Sequence, residues 1–324
     1  MFFNIDRRPE LFLVLVYVKL DERDAPYLGD VSNRHTTDDS ADRLARVLTA
    51  RKIAVNVIGS YRSKISKFMF TRAIVRPPSD NFADGLTSVD LGAPVFEKAL
   101  AQHRAYCEAL IRCGLTLIEL EADPAYPDST FVEDTAIVTE NCAVITNPGA
   151  ESRKGEVVSI VETLSKFYDR LDRVQPPGTV DGGDVCQIGS HFLIGISERT
   201  NREGAEQLSG FLNAESYTSS HVDVRGTKGL LHLKSGITFI GENRLIVADS
   251  LLGQPEFGGY EIVRVPAGEE YAANCIRVND YVLFAAGFPK LKTELEKLGY
   301  NLIELEMSEF EKMDGGLSCL SLRF

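Results

Sequence analysis

Short apolar runs, each preceded or followed by a tight polar turn, recur through the central and C-terminal region of this chain. The turns are Thr139-Glu140-Asn141-Cys142, Ile188-Gly189-Ser190-His191, Gly241-Glu242-Asn243-Arg244 and Val278-Asn279-Asp280-Tyr281. Strand formers flank each one, as in Ala143-Val144-Ile145 and Phe192-Leu193-Ile194, so each turn predicts a β-hairpin. After the first hairpin, the segment 149–153 leads into a helical run to about Phe167, and after the second, the segment 197–202 leads into one to about Leu212. The fourth is followed by a Lys/Glu-rich amphipathic helix, Leu291 to Leu298, stopped by Gly299. Four units of strand, hairpin and mixed helix are therefore expected.

A fifth unit is split between distant parts of the chain. Thr71 to Val75 reads as a strand, and Val95 to Cys113 as a helix with Phe96, Leu100, Cys107, Leu110 and Ile111 on one face, ended by Gly114. Its missing strand partner is expected at Leu317 to Leu322, in the closing text "DGGLSCLSLRF". Pairing there would close the units into a ring, remove exposed edges and pin the C-terminus. Residues 1–68 do not fit the repeat. Leu11 to Val18 and Ile53 to Gly59 could be strands and Ser40 to Lys52 a helix, but Met69, in "SKFMFTRAIVR", reads as the usual start. The division expected is an N-terminal extension of uncertain structure over 1–68 and a single catalytic α/β domain over 69–324.

Composition narrows the classes. The chain has 324 residues and a net charge of −12 with no dense Lys/Arg run, which argues against nucleic acid and anionic membrane surfaces as partners. The apolar run at Leu11 to Val18 is far short of the ~20 residues a bilayer span needs. Six cysteines at 107, 113, 142, 186, 275 and 319 form no C-x-x-C pair, and five histidines at 35, 103, 191, 221 and 232 form no zinc-like spacing. Reduced thiols, a cytoplasmic location, no metal and no cofactor are expected; the apolar fraction permits a monomer or a homodimer.

Polar residues gather at equivalent points of the units: Asp128, Glu133 and Asp134 in "PDSTFVED", Asp181 and Asp184 in "VDGGD", His232 in "LHLKSG", and Asp314 and Cys319 in "MDGGLSC". In a ring these points converge, so acids, an imidazole and a thiol would share one pocket, which is a nucleophilic constellation. Each residue also has a plainer reading: Cys319 as an apolar filler, His232 as a core histidine between leucines, Asp128 as a turn residue, Glu133-Asp134 as a solvated strand end, Arg153 and Arg199 as surface arginines.

Taken in order, "PDSTFVEDTAIVTENCAVITNPGAESRKGE", "GTVDGGDV", "ERTNREGAE", "LHLKSG", "YAANCI" and "DGGLSCLSLRF" resemble the dimethylarginine dimethylaminohydrolases of the guanidino-modifying (pentein) superfamily, from about Met69 to Phe324. The resemblance implies a five-unit pseudo-symmetric α/β propeller closed by its terminal strands, and hydrolysis of Nω-methylated arginines to citrulline without metal or cofactor. It implies Cys319 as nucleophile and His232 as general acid and base. Asp134 and Asp181 would grip the guanidinium, with Asp128, Phe131 and Glu133 completing the pocket. Arg153 and Arg199 would take the α-carboxylate, the Leu86 backbone the α-amino group, and Met313 a contact beside the catalytic turn. Asp181 stands where the family has Glu or Asp. An arginine deiminase-like hydrolase and a non-catalytic arginine-derivative binder are the alternatives. Pro77, Pro78, Gly85 and Gly92 suggest a lid loop between Val75 and Val95.

Overall fold

The computed structural model describes residues 69–324, so the expectations for residues 1–68 lie outside the described residues. Its strands form five sheets of three. In the first, β1 (Arg72–Val75) and β2 (Thr116–Glu119) pair in parallel across helix α1 (Phe96–Arg112). In the second, β3 (Ala136–Val138) and β4 (Ala143–Ile145) form an antiparallel hairpin, and β5 (Leu171–Arg173) joins β4 in parallel after α2 (Val157–Leu164). The third repeats this with β6 (Val185–Ile188), β7 (His191–Ile196), α3 (Arg202–Ala214) and β8 (Thr218–Asp223). The fourth has β9 (Ile237–Gly241), β10 (Arg244–Val247) and β11 (Glu261–Arg264). The fifth has β12 (Ile276–Val278), β13 (Tyr281–Ala285), α4 (Pro289–Lys297) and β14 (Asn301–Leu305). A one-turn helix, α5 (Ser308–Glu311), leads to β15 (Leu322–Arg323), which pairs antiparallel with β1 and gives the first sheet the hairpin partner it lacked.

Local chemistry explains the helix limits. Asn201 caps α3 by accepting from Gly204 N at 2.8 Å, Pro289 opens α4 at its first turn, and Gly114 leaves α1 in the left-handed region at φ +94°. The β10–β11 connection has no α-helix; two 3-10 turns, Asp249–Leu251 and Pro255–Phe257, cross it instead. Pro255 and the paired Gly258-Gly259 leave too short an uninterrupted run there for a helix.

The strand alternation closes the ring. Successive side chains of a strand point to opposite faces, and here each face meets a different neighbouring sheet. Ala73 packs with Ile276, Val278 and Leu283 of the fifth sheet, while Ile74 packs with Ala143, Ile145 and Leu322. Val144 and Ile194 share the cluster between the second and third sheets, Leu193 and Leu245 that between the third and fourth, and Ile246 and Phe284 that between the fourth and fifth. Every sheet is buried on both faces, which is why its central strand is continuously apolar. Among the described residues no helix is long and apolar enough to cross a membrane.

The C-terminal strand is shorter than expected. Leu317 to Leu322 was expected to be extended, but Ser318–Leu320 is a 3-10 turn and only Leu322–Arg323 is strand. Gly316 is the reason: a Cβ there would lie 2.4 Å from Asn274 Cγ, and Asn274 Oδ1 accepts the Ser318 amide at 2.9 Å. That clamp draws the chain into a turn before it can pair.

Candidate active site

A 3-10 turn precedes the entry strand of each unit: Val132–Thr135 before β3, Gly182–Asp184 before β6, Leu233–Ser235 before β9, Glu270–Ala273 before β12 and Ser318–Leu320 before β15. From Ser318–Leu320 through Val132–Thr135, Gly182–Asp184 and Leu233–Ser235 to Glu270–Ala273, each turn touches the next, and the motif residues sit on them or beside them. Their meeting point opens into a cleft lined by Asp128, Asp134, Arg199, His232, Met313 and Cys319, with Leu86, Phe131, Arg153, Leu231, Asp314 and Gly315 completing the wall.

Asp134 is buried and accepts from Arg153 Nη1 at 2.6 Å and from Gly183 N at 2.8 Å. Burial alone would raise its pKa, but the charges of Arg153 and His232 outweigh burial and hold the carboxyl down at about 2. Gly183 is needed at this point because a Cβ would lie 2.7 Å from His232 Nδ1. Asp181 is fully buried, with one oxygen on Gly149 N at 2.8 Å and the other on His232 Nε2 at 3.1 Å. Asp184 accepts from the Leu233 amide at 2.9 Å and from Ser197 Oγ at 2.7 Å, so it fixes the backbone that carries His232.

His232 is the point where these acids act. Burial works against its charge, yet Asp134, Asp184 and Asp181 together push its pKa up to about 9. It stands as an imidazolium at neutral pH, with Asp181 orienting the ring. Cys319 is affected in the opposite sense: burial, then Glu133 and Asp134, push the thiol up to about 12. At rest the pair is therefore thiol and imidazolium.

Two expected wall residues lie elsewhere. Glu133 does not reach the cleft; its Oε1 is taken by Lys234 Nζ at 2.6 Å and Arg323 Nη2 at 3.0 Å, behind the nucleophile's turn. Asp181 is likewise absent from the wall; its two oxygens turn to Gly149 and His232 behind it. Arg153 reaches the wall but is largely spent: Nε and Nη2 bond Glu156, Nη1 bonds Asp134, and Nη2 also donates to Phe131 O at 3.1 Å. The Arg199 guanidinium, by contrast, makes no hydrogen bond or ion pair with the described residues. Asp128 accepts from the Leu86 amide with both oxygens at 3.1 Å. The next residues of that loop are tied across the cleft mouth, Thr87 Oγ1 to Lys312 O at 2.9 Å and Ser88 N to Asp314 Oδ2 at 2.5 Å.

One potential metal-ligating atom from each of Asp134, Asp181 and His232 lies within 4.8 Å of the others. All three side chains are already held by protein hydrogen bonds, and we assign them to the protein's own network.

The imidazolium carries a stability prediction. Its folded pKa of about 9 exceeds the ordinary 6.5, so its contribution is complete below pH 6.5 and is lost as pH rises through 9. The difference corresponds to roughly 3 kcal/mol. Denaturant melts between about pH 6 and about pH 10 should show this loss in wild type and a flatter profile in His232→Asn. Parallel profiles in the two proteins would contradict it.

Comparison with known proteins agrees with this geometry. A family model described as arginine deiminase matches residues 119–282. N(G),N(G)-dimethylarginine dimethylaminohydrolase of Pseudomonas aeruginosa is 45% identical over 257 residues, covering 79% of this chain and 100% of that protein. The protein of the same description from Streptomyces coelicolor is 36% identical over 255 residues, covering 78% and 96%. A solved structure of the Pseudomonas aeruginosa protein, a cysteine-to-serine mutant complexed with citrulline, matches with a TM-score of 0.77 at 45% identity, covering 79% of this chain and 100% of that one.

Proposed function

This chain belongs to the dimethylarginine dimethylaminohydrolase family, and from that membership we infer that it hydrolyses Nω,Nω-dimethyl-L-arginine, and the monomethyl form, to L-citrulline and the methylated amine. The observation that carries the inference is the meeting of Cys319, His232 and the low-pKa Asp134 on one cleft wall. A guanidinium is a planar cation and a poor electrophile, so it needs an anion to hold it and a strong nucleophile to attack it.

Asp134 supplies the anion, with Asp128 beside it. The substrate's positive charge also answers the thiol's problem. A neighbouring cation favours the thiolate, so the thiol's raised pKa of about 12 falls when the guanidinium enters. The thiol's proton passes to solvent, and the thiolate attacks the guanidinium carbon. His232, already an imidazolium, gives its proton to the departing dimethylamine as the C–N bond breaks. The residual S-alkylthiouronium is hydrolysed by a water whose proton returns to His232. C–S cleavage, with the added hydroxyl's proton passing to the departing sulfur, then releases citrulline and restores the thiol.

At the far end of the substrate Arg199 offers its whole fork to the α-carboxylate. Four of Arg153's five N–H donors are already committed. Its main work is to hold Asp134 ionised, with one donor left for the carboxylate. In this reading the Leu86 backbone takes the α-amino group and Met313 packs on the substrate's alkyl chain; both residues line the cleft. Asp181 acts through His232.

The match to the arginine deiminase model favours a second reading, hydrolysis of unmethylated arginine. Citrulline release from asymmetric dimethylarginine and from arginine, measured in parallel, separates the two: preference for the methylated substrate is expected, and preference for arginine would replace the proposal. Binding of either without turnover would make the chain a binder. Six free cysteines, five of them buried, support a reducing, cytoplasmic setting. A homodimer, to be checked by light scattering, is compatible with this reading.

A further inference from the structure

Glu133 lies next to Asp134, Lys234 two residues after His232, and Arg323 four residues after Cys319. Their side chains meet behind the cleft. Lys234 Nζ and Arg323 Nη2 both bind Glu133 Oε1, at 2.6 and 3.0 Å, while Glu133 Oε2 is buried with no hydrogen-bond partner. Arg323 Nη1 also donates to Ser321 Oγ at 2.7 Å, Ser321 O at 3.0 Å and Ser318 O at 3.3 Å, so one guanidinium spans the nucleophile's turn. Tyr106 of α1 anchors the same Ser321 hydroxyl at 2.6 Å. One carboxylate thus ties together the turns that carry Asp134, His232 and Cys319.

We propose that Lys234 and Arg323 are positioning residues for the nucleophile, acting through Glu133 and resting on the assignment of Cys319 as nucleophile. Neither lines the cleft. Each is costly to leave in place without a purpose: a largely buried charge needs a partner, and an unpaired carboxylate oxygen is a penalty that the fold retains. Lys234 has a second effect that Arg323's reach over the turn does not replace. Burial, Glu133 and Asp134 disfavour the thiol's ionisation, while the Gly316 backbone and Lys234 favour it; the His232 imidazolium shares the cleft wall, and Tyr271 is a half-buried neutral phenol nearby. Removing the ammonium takes away the side-chain cation that opposes the two acids from behind the cleft.

The test uses the full chain and alkylation of Cys319 by iodoacetamide without substrate, at one fixed pH, alongside steady-state kinetics. One unit of pKa is about a tenfold change in thiolate. Lys234→Met is expected to slow alkylation by about tenfold and to lower kcat far more than it changes KM. Glu133→Gln should speed alkylation, and the double variant should return it towards wild type; it also relieves the loss of one of the carboxylate's two cation partners that could destabilise Lys234→Met alone. Arg323→Gln should lower kcat by disordering the turn while moving the alkylation rate less than Lys234→Met does. If Lys234→Met and Glu133→Gln both alkylate at the wild-type rate, or if kcat is unchanged in both Lys234→Met and Arg323→Gln, the proposal is wrong. Wild type that releases no citrulline would instead overturn the assignment of function on which it rests.

Discussion

Cys319→Ser is expected to abolish citrulline release from dimethylarginine, with a loss of about 10⁴-fold or more, while binding of the substrate persists. The wild-type thiol is pushed up to about 12 by burial and by Glu133 and Asp134. It becomes usable only because the bound guanidinium brings a positive charge against it. A serine hydroxyl starts much higher, and the same single charge cannot bring it into range. The guanidinium's anchors, Asp134 and Asp128, are untouched by the change, as is Arg199 at the other end. Isothermal titration and citrulline assay on the same preparation should therefore separate affinity from turnover. Residual turnover within tenfold of wild type would show that another group attacks.

Asp134→Asn should have the next largest effect, and it should appear in stability as well as rate. Asp134 joins Arg153 at 2.6 Å in the interior and also takes the Gly183 amide. An asparagine can serve only one of these well: its oxygen can accept from the amide or from the guanidinium, and its NH₂ then faces another donor. Breaking one partner of such a buried pair costs about 3–5 kcal/mol, reduced here because Glu156 still faces Arg153. The anion that holds the substrate is lost at the same time, so KM should rise as kcat falls. Because the wild-type carboxyl is held at about 2 against an ordinary 3.8, its contribution to stability is present above pH 3.8 and disappears as pH falls through 2. The variant should lack that acid-side loss. Wild-type stability together with a wild-type KM would contradict the role given to Asp134.

Much of this arrangement is written locally. The hairpins announced themselves through two-residue polar turns such as Glu242-Asn243, both of which adopt positive φ, at 52° and 60°. The repeat placed the acids, His232 and Cys319 at equivalent points before their strands, and the structure brings Asp134, His232 and Cys319 to one wall. Three features were hidden. The alternation of Leu317 to Leu322 resembles a strand, and only the distant Asn274 forces most of it into a turn. Glu133 and Asp181 are acids of the same motifs as the wall residues, but which face of a one-turn element a side chain takes depends on partners far along the chain, Lys234 and Arg323 for one, Gly149 and His232 for the other. Lys234 and Arg323 themselves read as ordinary exposed cations, since their partner is 101 and 190 residues away in sequence. Asp184 was visible as part of "VDGGD", yet its task, fixing the Leu233 amide, is a tertiary one.

The most direct measurement of the central claim is mass spectrometry of wild-type protein quenched in acid during turnover of dimethylarginine. A covalent adduct equal to the substrate less dimethylamine, on the peptide that contains Cys319, is the expected result. Turnover to citrulline with no adduct on that peptide, or with the adduct on another residue, would contradict it.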